Sequence, residues 1–93
     1  MTAELGGQRL RLSPQAIVSE FRDGAVLLDL RTKQYLVLNR TGGLVCDRLV
    51  AGGSVTDLVD ALCEQHEVAR DVAERDVRAL LGELARENLL GPA

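Results

Sequence analysis

Aromatic residues are almost missing from this sequence, with one Tyr, one Phe and no Trp among 93 residues. The chain therefore lacks the stacking rings on which single-stranded nucleic acid is commonly held. It also lacks a basic excess, since its formal net charge is −3 and proteins that bind phosphate backbones are usually basic. Hydrophobic residues make up 46% of the sequence, which predicts a single core filled mainly by Leu, Val and Ala.

Residues suited to catalysis, metal binding or phosphate binding are equally scarce. His66 is the only His and lies at the polar end of a predicted helix, where a favourable contact with the helix dipole is the preferred interpretation. Cys63 and Cys46 lie among apolar residues, so both are interpreted as small buried hydrophobes, although two cysteines would allow a disulfide. Gly42-Gly43 and Gly52-Gly53 lack the context of a phosphate-binding loop. We therefore predict no catalytic residue, no metal site and no cofactor.

No charged-then-apolar signal segment opens the sequence, and no apolar run has the length of a membrane span. A cytoplasmic location without membrane contact is therefore expected. Residues 1–9 are polar and contain glycine, which predicts a flexible tail. Residues 10–91 are predicted to form one domain.

Three apolar runs in the first half predict strands over Ala16–Phe21, Ala25–Leu30 and Gln34–Asn39. Asp23-Gly24 favours a tight hairpin turn with positive φ at both positions, and Arg31-Thr32-Lys33 supplies the second turn. Connections this short predict an antiparallel meander with the third strand at its edge.

The second half has helical spacing. Thr41 is predicted to cap the first helix, Ser54 to Asp57 resembles a capping box for the second, and Asp71 to Glu74 signals the start of a third that runs to about Glu87. Asn88 would stop that helix in a left-handed conformation. The predicted inward residues are Leu44, Val45, Cys46, Leu49, Leu58, Val59, Leu62, Cys63, Ala73, Val77, Leu80, Leu81 and Leu84. This order, β-β-β-α-α-α, predicts an α+β fold of the winged helix-turn-helix type, with a three-stranded antiparallel meander followed by three helices.

A winged-helix order raises the possibility of DNA binding, in which one helix enters the major groove. The second helix instead presents Asp57, Asp60, Glu64 and Glu67, with no Lys or Arg between Ser54 and Glu67. The third helix mixes both signs of charge, and Asp71–Arg75 and Glu74–Arg78 are predicted to form i,i+4 pairs. Nucleic acid is therefore not the expected partner.

The edge strand is the remaining candidate site. Tyr35, Leu36, Val37 and Leu38 are strong strand formers without a charge or proline. An apolar edge is normally blunted or covered, unless another strand is meant to pair with it. The pattern alone leaves both possibilities open.

The sequence resembles the PqqD-like family, and the resemblance extends from about Leu10 to Leu90. It rests on Asp23 to Asp29, Tyr35 to Asn39, Thr41-Gly42, Ser54-Val55, Asp76-Val77, Leu80-Leu81, Leu84 and Leu89-Leu90. Three positions depart from the family pattern: Thr32-Lys33-Gln34 lacks a glycine, Cys46 replaces an aromatic residue, and Asn88 replaces a glycine.

The resemblance implies a leader-peptide recognition element, most similar to the free-standing small subunit of lasso-peptide gene clusters. Its partners would be the leader of a ribosomal precursor peptide and a separate cysteine protease that removes the leader, with a cyclase as an optional third partner. A PqqD-type chaperone that presents another precursor to a radical enzyme is the alternative, and a DNA-binding regulator is a more distant one.

The resemblance also implies that the leader pairs with the third strand, in a cleft beside the third helix. Leu80 would line an apolar pocket. Asp76 would contact a polar or basic leader group or, as the alternative, form an ion pair on the helix surface that contributes little. The expected peptide-binding residues are Gln34, Tyr35, Leu36, Val37, Leu38, Val72, Asp76, Leu80 and Glu83.

Overall fold

The computed structural model describes residues 7–93. Its elements, in chain order, are β1 (Leu10–Leu12), β2 (Ala16–Phe21), β3 (Gly24–Asp29), β4 (Gln34–Asn39), α1 (Arg40–Ala51), α2 (Val55–Gln65), α3 (Arg70–Arg86) and β5 (Leu90–Pro92). Strands β2, β3 and β4 form an antiparallel meander in that order. The predicted α+β fold, a three-stranded meander followed by three helices, is confirmed, and β4 is an edge strand.

Two short strands were not predicted from the sequence. β1 pairs with β5 in a separate antiparallel sheet, and Leu10 also forms a bridge with Gly53. The last residues, Leu90–Pro92, are therefore tied to Leu10–Leu12 at the other end of the described chain. Three-residue strands are too short to show a period of two in the sequence, and their pairing joins distant parts of the chain.

The predicted flexible tail, residues 1–9, lies mostly outside the described residues. Within them, the Arg9 guanidinium donates hydrogen bonds to the Asp57 carboxylate and to the Gly52 carbonyl, both at 3.3 Å. No helix formed by residues 7–93 is long and apolar enough to cross a membrane.

The first hairpin turn differs from the prediction. Phe21 pairs with Gly24, so the loop residues are Arg22 and Asp23, and neither Asp23 nor Gly24 has a positive φ. Gly24 is instead required for close approach, since a Cβ atom there would overlap the carbonyl oxygen of Leu38. In the second turn, Lys33 takes the left-handed conformation, with φ 66°.

Two of the predicted helix caps are also wrong. Asn39, rather than Thr41, caps α1, because its side chain accepts a hydrogen bond from the Gly42 N–H at 2.8 Å. Helix α3 begins at Arg70 with Ala69 as its N-cap and no side-chain cap. The capping box of Ser54 and Asp57 is confirmed, with reciprocal hydrogen bonds of 3.0 and 3.1 Å, and Asn88 does adopt a left-handed φ of 60°.

The helices pack on one face of the meander. Leu27 and Leu38 of the sheet are buried with the inward residues of the helices, including Leu49, Leu62 and Leu84. Most predicted inward positions are buried, whereas Leu44, Cys63 and Leu80 are half-buried at the margin of the core. Burial of this apolar surface, at about 25 cal/mol per Å², is what holds the small sheet against the helices.

Candidate functional site

The free edge of β4 carries unpaired main-chain groups. The two-residue turn makes Phe21 and Gly24 a hydrogen-bonded pair, and such pairs alternate along antiparallel strands. Alternation therefore turns the N–H and C=O groups of Gln34, Leu36 and Leu38 toward β3. Those of Tyr35 and Val37 point outward, where no described strand pairs with them.

The side chains of β4 alternate between two faces of the sheet. Leu38 is buried and Leu36 is half-buried against the core, whereas Tyr35 and Val37 are 70% and 71% exposed on the opposite face. The sequence left open which pair faces inward, and the structure assigns Leu36 and Leu38 to that role.

A cleft separates the edge of β4 from helix α3. Its larger cavity, of about 340 Å³, lies beside Val37, Leu38 and Asn39 on the strand. Its α3 wall is formed by Asp76, Val77, Ala79, Leu80 and Glu83, and its floor and end by Thr41, Gly42, Val45 and Leu62.

A smaller cavity of about 120 Å³ continues along the same strand. It is lined by Leu27, Asp29, Thr32, Gln34, Tyr35, Leu36, Glu83, Glu87 and Leu89. Asp76 lies beside the C-terminal half of β4 and Glu87 beside its N-terminal half, so α3 runs antiparallel to the strand. Because Glu83 lines both cavities, it marks the point where they meet.

The structure brings most of the predicted site residues together. Five come from β4, and Asp76, Leu80 and Glu83 face them across the cleft. Val72 is half-buried on the same stripe of α3, but it lines neither cavity.

The first turn of α1 was missed as part of the cleft. Thr41 and Gly42 line the larger cavity, and the Thr41 hydroxyl donates to the Asn39 side chain at 3.0 Å. The cap formed by Asn39 places this turn against the end of β4. An Asn at the end of a strand, three residues before Gly42, is the signal that could have located it.

Asp76 remains available at the mouth of the cleft. Its carboxylate lies 3.7 Å from the Arg75 guanidinium, with both side chains more than half exposed, so this contact contributes little. Of the predicted i,i+4 pairs, Glu74–Arg78 forms at 3.1 Å. Asp71–Arg75 does not form, because Arg75 turns toward Asp76 instead.

A buried carboxylate fixes the turn at the narrow end of the cleft. Asp29 accepts hydrogen bonds from the Arg31 N–H at 3.0 Å and from its guanidinium at 3.3 Å. The same guanidinium donates to the Glu87 carbonyl at the end of α3, at 3.0 Å. Burial raises the pKa of Asp29, but these hydrogen bonds outweigh it, and the pKa lies below its ordinary value. The turn and the helix are thereby tied together.

The described residues offer no catalytic constellation. Both cysteines are free, and burial raises the pKa of the Cys46 thiol to about 12, which leaves it unreactive. The Cys63 Sγ lies 3.8 Å from the Val68 carbonyl, and His66 ends α2. Among residues 7–93, no three His, Cys, Asp or Glu side chains are grouped to hold a metal ion.

The outward face of the meander is unusually apolar. The strand register places nine residues on it, here called the open face: Ile17, Ser19, Phe21, Gly24, Val26, Leu28, Tyr35, Val37 and Asn39. Phe21 is 63% exposed, so both aromatic residues of the chain project to its surface. Exposed apolar patches of this kind are typical of interaction sites.

Comparison with known proteins identifies relatives of the same architecture. A family model described as coenzyme PQQ synthesis protein D (PqqD) matches residues 24–90. The structure of TbiB1 in complex with the TbiA(beta) leader peptide is 34% identical, with a TM-score of 0.75 over 89% of this chain and 98% of that chain. A lasso peptide synthetase B1 complexed with the leader peptide is 38% identical, with a TM-score of 0.72 and the same coverage of both chains. No curated protein matches the chain in sequence.

Proposed function

Because this chain belongs to the PqqD family, we propose that it is a non-catalytic adaptor that captures the leader of a ribosomal precursor peptide. The observation that carries the proposal is the unpaired edge of β4 beside a cleft formed with α3. Two solved relatives that align over 98% of their own length are complexes with leader peptides. One of the two is a lasso peptide synthetase B1, which supports the lasso-peptide pathway for this chain.

The proposed mechanism is strand addition. The leader pairs with the outward N–H and C=O groups of Tyr35 and Val37, which gives affinity with little demand on leader sequence. Side chains that face the cleft supply selectivity, because alternate residues of the added strand point toward α3. The proposed peptide-binding residues are Gln34, Tyr35, Leu36, Val37, Leu38, Val72, Asp76, Leu80 and Glu83.

A PqqD-type chaperone for another modified peptide is the second candidate, favoured by the family model itself. It uses the same strand and cleft and differs in the precursor and the enzyme served. Titration with leaders from both kinds of pathway separates the two candidates. Preferential binding of a non-lasso leader would favour the second.

We further propose that the adaptor delivers the captured leader to a separate cysteine-protease leader peptidase in the cytoplasm. The peptidase would dock on the open face. A leader strand paired with β4 extends this face, because its outward side chains lie beside Tyr35 and Val37. A peptidase seated there contacts adaptor and leader together, which couples docking to leader capture.

A substitution at Phe21 tests this delivery step, because Phe21 lies on the open face, on β2, two strands away from the β4 edge where the leader would pair. Phe21→Asp should keep leader affinity within about twofold and reduce capture of the peptidase by more than about tenfold. Both are measured by titration of labelled components. Unchanged capture by this variant would place the peptidase on another surface.

The adaptor proposal is tested by titrating a fluorescently labelled leader peptide with Val37→Pro. Proline removes the outward N–H of Val37, which is not used in pairing with β3, so the meander should survive. We expect binding to weaken at least about a hundredfold, with helix content by circular dichroism nearly unchanged.

Glu20→Pro is the matched control, since the same alternation turns the Glu20 N–H outward at the opposite edge, on β2. This variant should bind the leader within about twofold of the unmodified protein. Normal binding by a folded Val37→Pro variant would show that strand addition does not occur at β4.

A further inference from the structure

The charged side chains that line the cleft are all acidic. Asp76, Glu83 and Glu87 face it from α3 and Asp29 lies at its narrow end, whereas no Lys, Arg or His lines either cavity. Resting on the proposed function, we infer that Glu83 selects leaders that carry a basic residue between two apolar anchors, in the order apolar-x-basic-x-apolar.

Glu83 is the acid best placed for such selection. It is half-buried, and among residues 7–93 its carboxylate has no ion pair or side-chain hydrogen bond. Glu74, on the same helix, is held by Arg78. The Glu83 carboxylate can therefore accept a charge-assisted hydrogen bond from a cationic side chain of a bound peptide.

The other acids are less suited to the role. Asp29 is held by Arg31, and the Asp76 side chain is 55% exposed beside Arg75. Glu87 is exposed and lines only the smaller cavity. Glu83 alone belongs to both cavities. A basic side chain that reaches it therefore lies between the leucines of the larger cavity, such as Leu80, and those of the smaller cavity, such as Leu89.

The spacing follows from strand geometry. A leader paired with β4 points every second residue into the cleft, so three successive cleft-facing residues span about 13 Å. Along α3, Leu80 and Glu87 are separated by a rise of about 10 Å. The first and third cleft-facing side chains can therefore enter the two cavities, over Leu38 and Gln34, while the second, over Leu36, meets Glu83.

Desolvation in the cleft should make this contact stronger than an exposed ion pair. Charge-assisted hydrogen bonds at partly buried sites are about twice as strong as neutral ones. We expect the basic residue to contribute about tenfold in affinity, and the contribution to shrink when salt is raised from about 20 to about 300 mM.

A displayed library of short random peptides tests this inference whichever precursor the protein serves. Selection on the unmodified protein should enrich Lys or Arg at the central position of the apolar-x-basic-x-apolar pattern. Selection on Glu83→Gln should enrich apolar residues at the two outer positions and show no preference for Lys or Arg at the central position. Glu64→Gln, which removes an exposed acid on α2 away from the cleft, is the control and should reproduce the original preference.

Titration of one selected peptide then measures the energetic coupling between Glu83 and the central basic residue of that peptide. Replacing its central Lys with uncharged norleucine should weaken binding to the unmodified protein about tenfold and to Glu83→Gln less than about twofold. Glu83→Lys should prefer the same peptide with Glu at that position. This reversal would not be produced by a merely structural role of Glu83.

The two proposals fail in different ways. Suppose that selected peptides bind the unmodified protein and that Val37→Pro abolishes this binding. If those peptides show no preference for Lys or Arg at the central position, or no energetic coupling to Glu83, the inference is overturned and the adaptor proposal stands. If selected peptides bind equally well to a folded Val37→Pro variant, the adaptor proposal fails and the inference fails with it.

Discussion

The meander has two edges, and β2 and β4 differ in what lies beside them. β4 borders the cleft with α3, whose two cavities follow the strand along its length. β2 has a cavity of about 220 Å³ at its hairpin end, lined by both acidic and basic side chains, including Glu20, Arg22 and Arg40. Within residues 7–93, both strands have main-chain groups that no strand pairs with, but only β4 is flanked by a cleft that follows it.

This difference shows why an open edge is not by itself a binding site. Main-chain pairing is available at β2 and at β4, yet it carries no selectivity. Side-chain pockets beside the strand provide that selectivity, and they require a neighbouring wall. At β4 the wall is α3, held in place by Val77, Leu81 and Leu84 in the core.

After the proline variants, the largest effect on leader binding is expected from replacing one of two leucines, one beside each edge of the meander. Leu80 and Leu44 are both half-buried, but Leu80 lines the larger cavity beside β4 and Leu44 lines the cavity beside β2. Leu80→Ala should weaken leader binding about tenfold, because burial of the leucine side chain against the leader contributes on the order of 1–2 kcal/mol. Titration of labelled leader measures the change.

Leu44→Ala is the control and should leave leader affinity within about twofold, while both variants lose similar amounts of thermal stability. Equal weakening by the two substitutions would mean that the α3 wall contributes nothing specific to the site.

The smallest effect on leader binding is expected from Asp29→Asn, because this substitution changes the stability of the fold and its dependence on pH. The folded pKa of Asp29 lies below its ordinary value, so the carboxylate stabilises the protein above the unfolded pKa of about 4. That contribution is lost as the pH falls through the folded pKa. The melting temperature should therefore drop less between about pH 7 and pH 3 in Asp29→Asn than in the unmodified protein.

Asp57 provides an internal reference for this measurement. Its pKa is also lowered, chiefly by the hydrogen bond from the Ser54 N–H, and it titrates in both proteins. If acid lowers the melting temperature equally in both, the turn held by Asp29 does not contribute to acid sensitivity. Leader affinity at neutral pH should change least in this variant, because Asp29 lies only at the narrow end of the cleft.

Much of the architecture could be predicted from the sequence. The strands of the meander appear as apolar runs bounded by turns, and the inward stripe of α3 follows the expected helical spacing at Ala73, Val77, Leu81 and Leu84. β1 and β5 could not be predicted, since three residues are too few to define a period. The Asn39 cap was missed because Thr41 satisfies the same capping preference two residues later.

The site was predictable only in part. Strand alternation separates Tyr35 and Val37 from Leu36 and Leu38, but it does not say which pair faces the core. The cleft depends on the distance between β4 and α3, which is a tertiary property without a local signal. The position of Glu83 between two cavities could therefore be found only in three dimensions.

Residue-resolved amide exchange compares the two edges most directly. Nuclear magnetic resonance would follow the Tyr35 and Val37 N–H groups on β4 and the Val18 and Glu20 N–H groups on β2, with and without a bound leader. Strand addition predicts that exchange at Tyr35 and Val37 slows by at least about tenfold on binding, while Val18 and Glu20 are unchanged. Slowing at β2, or a saturated complex with no change at Tyr35 and Val37, would contradict leader capture at the β4 edge.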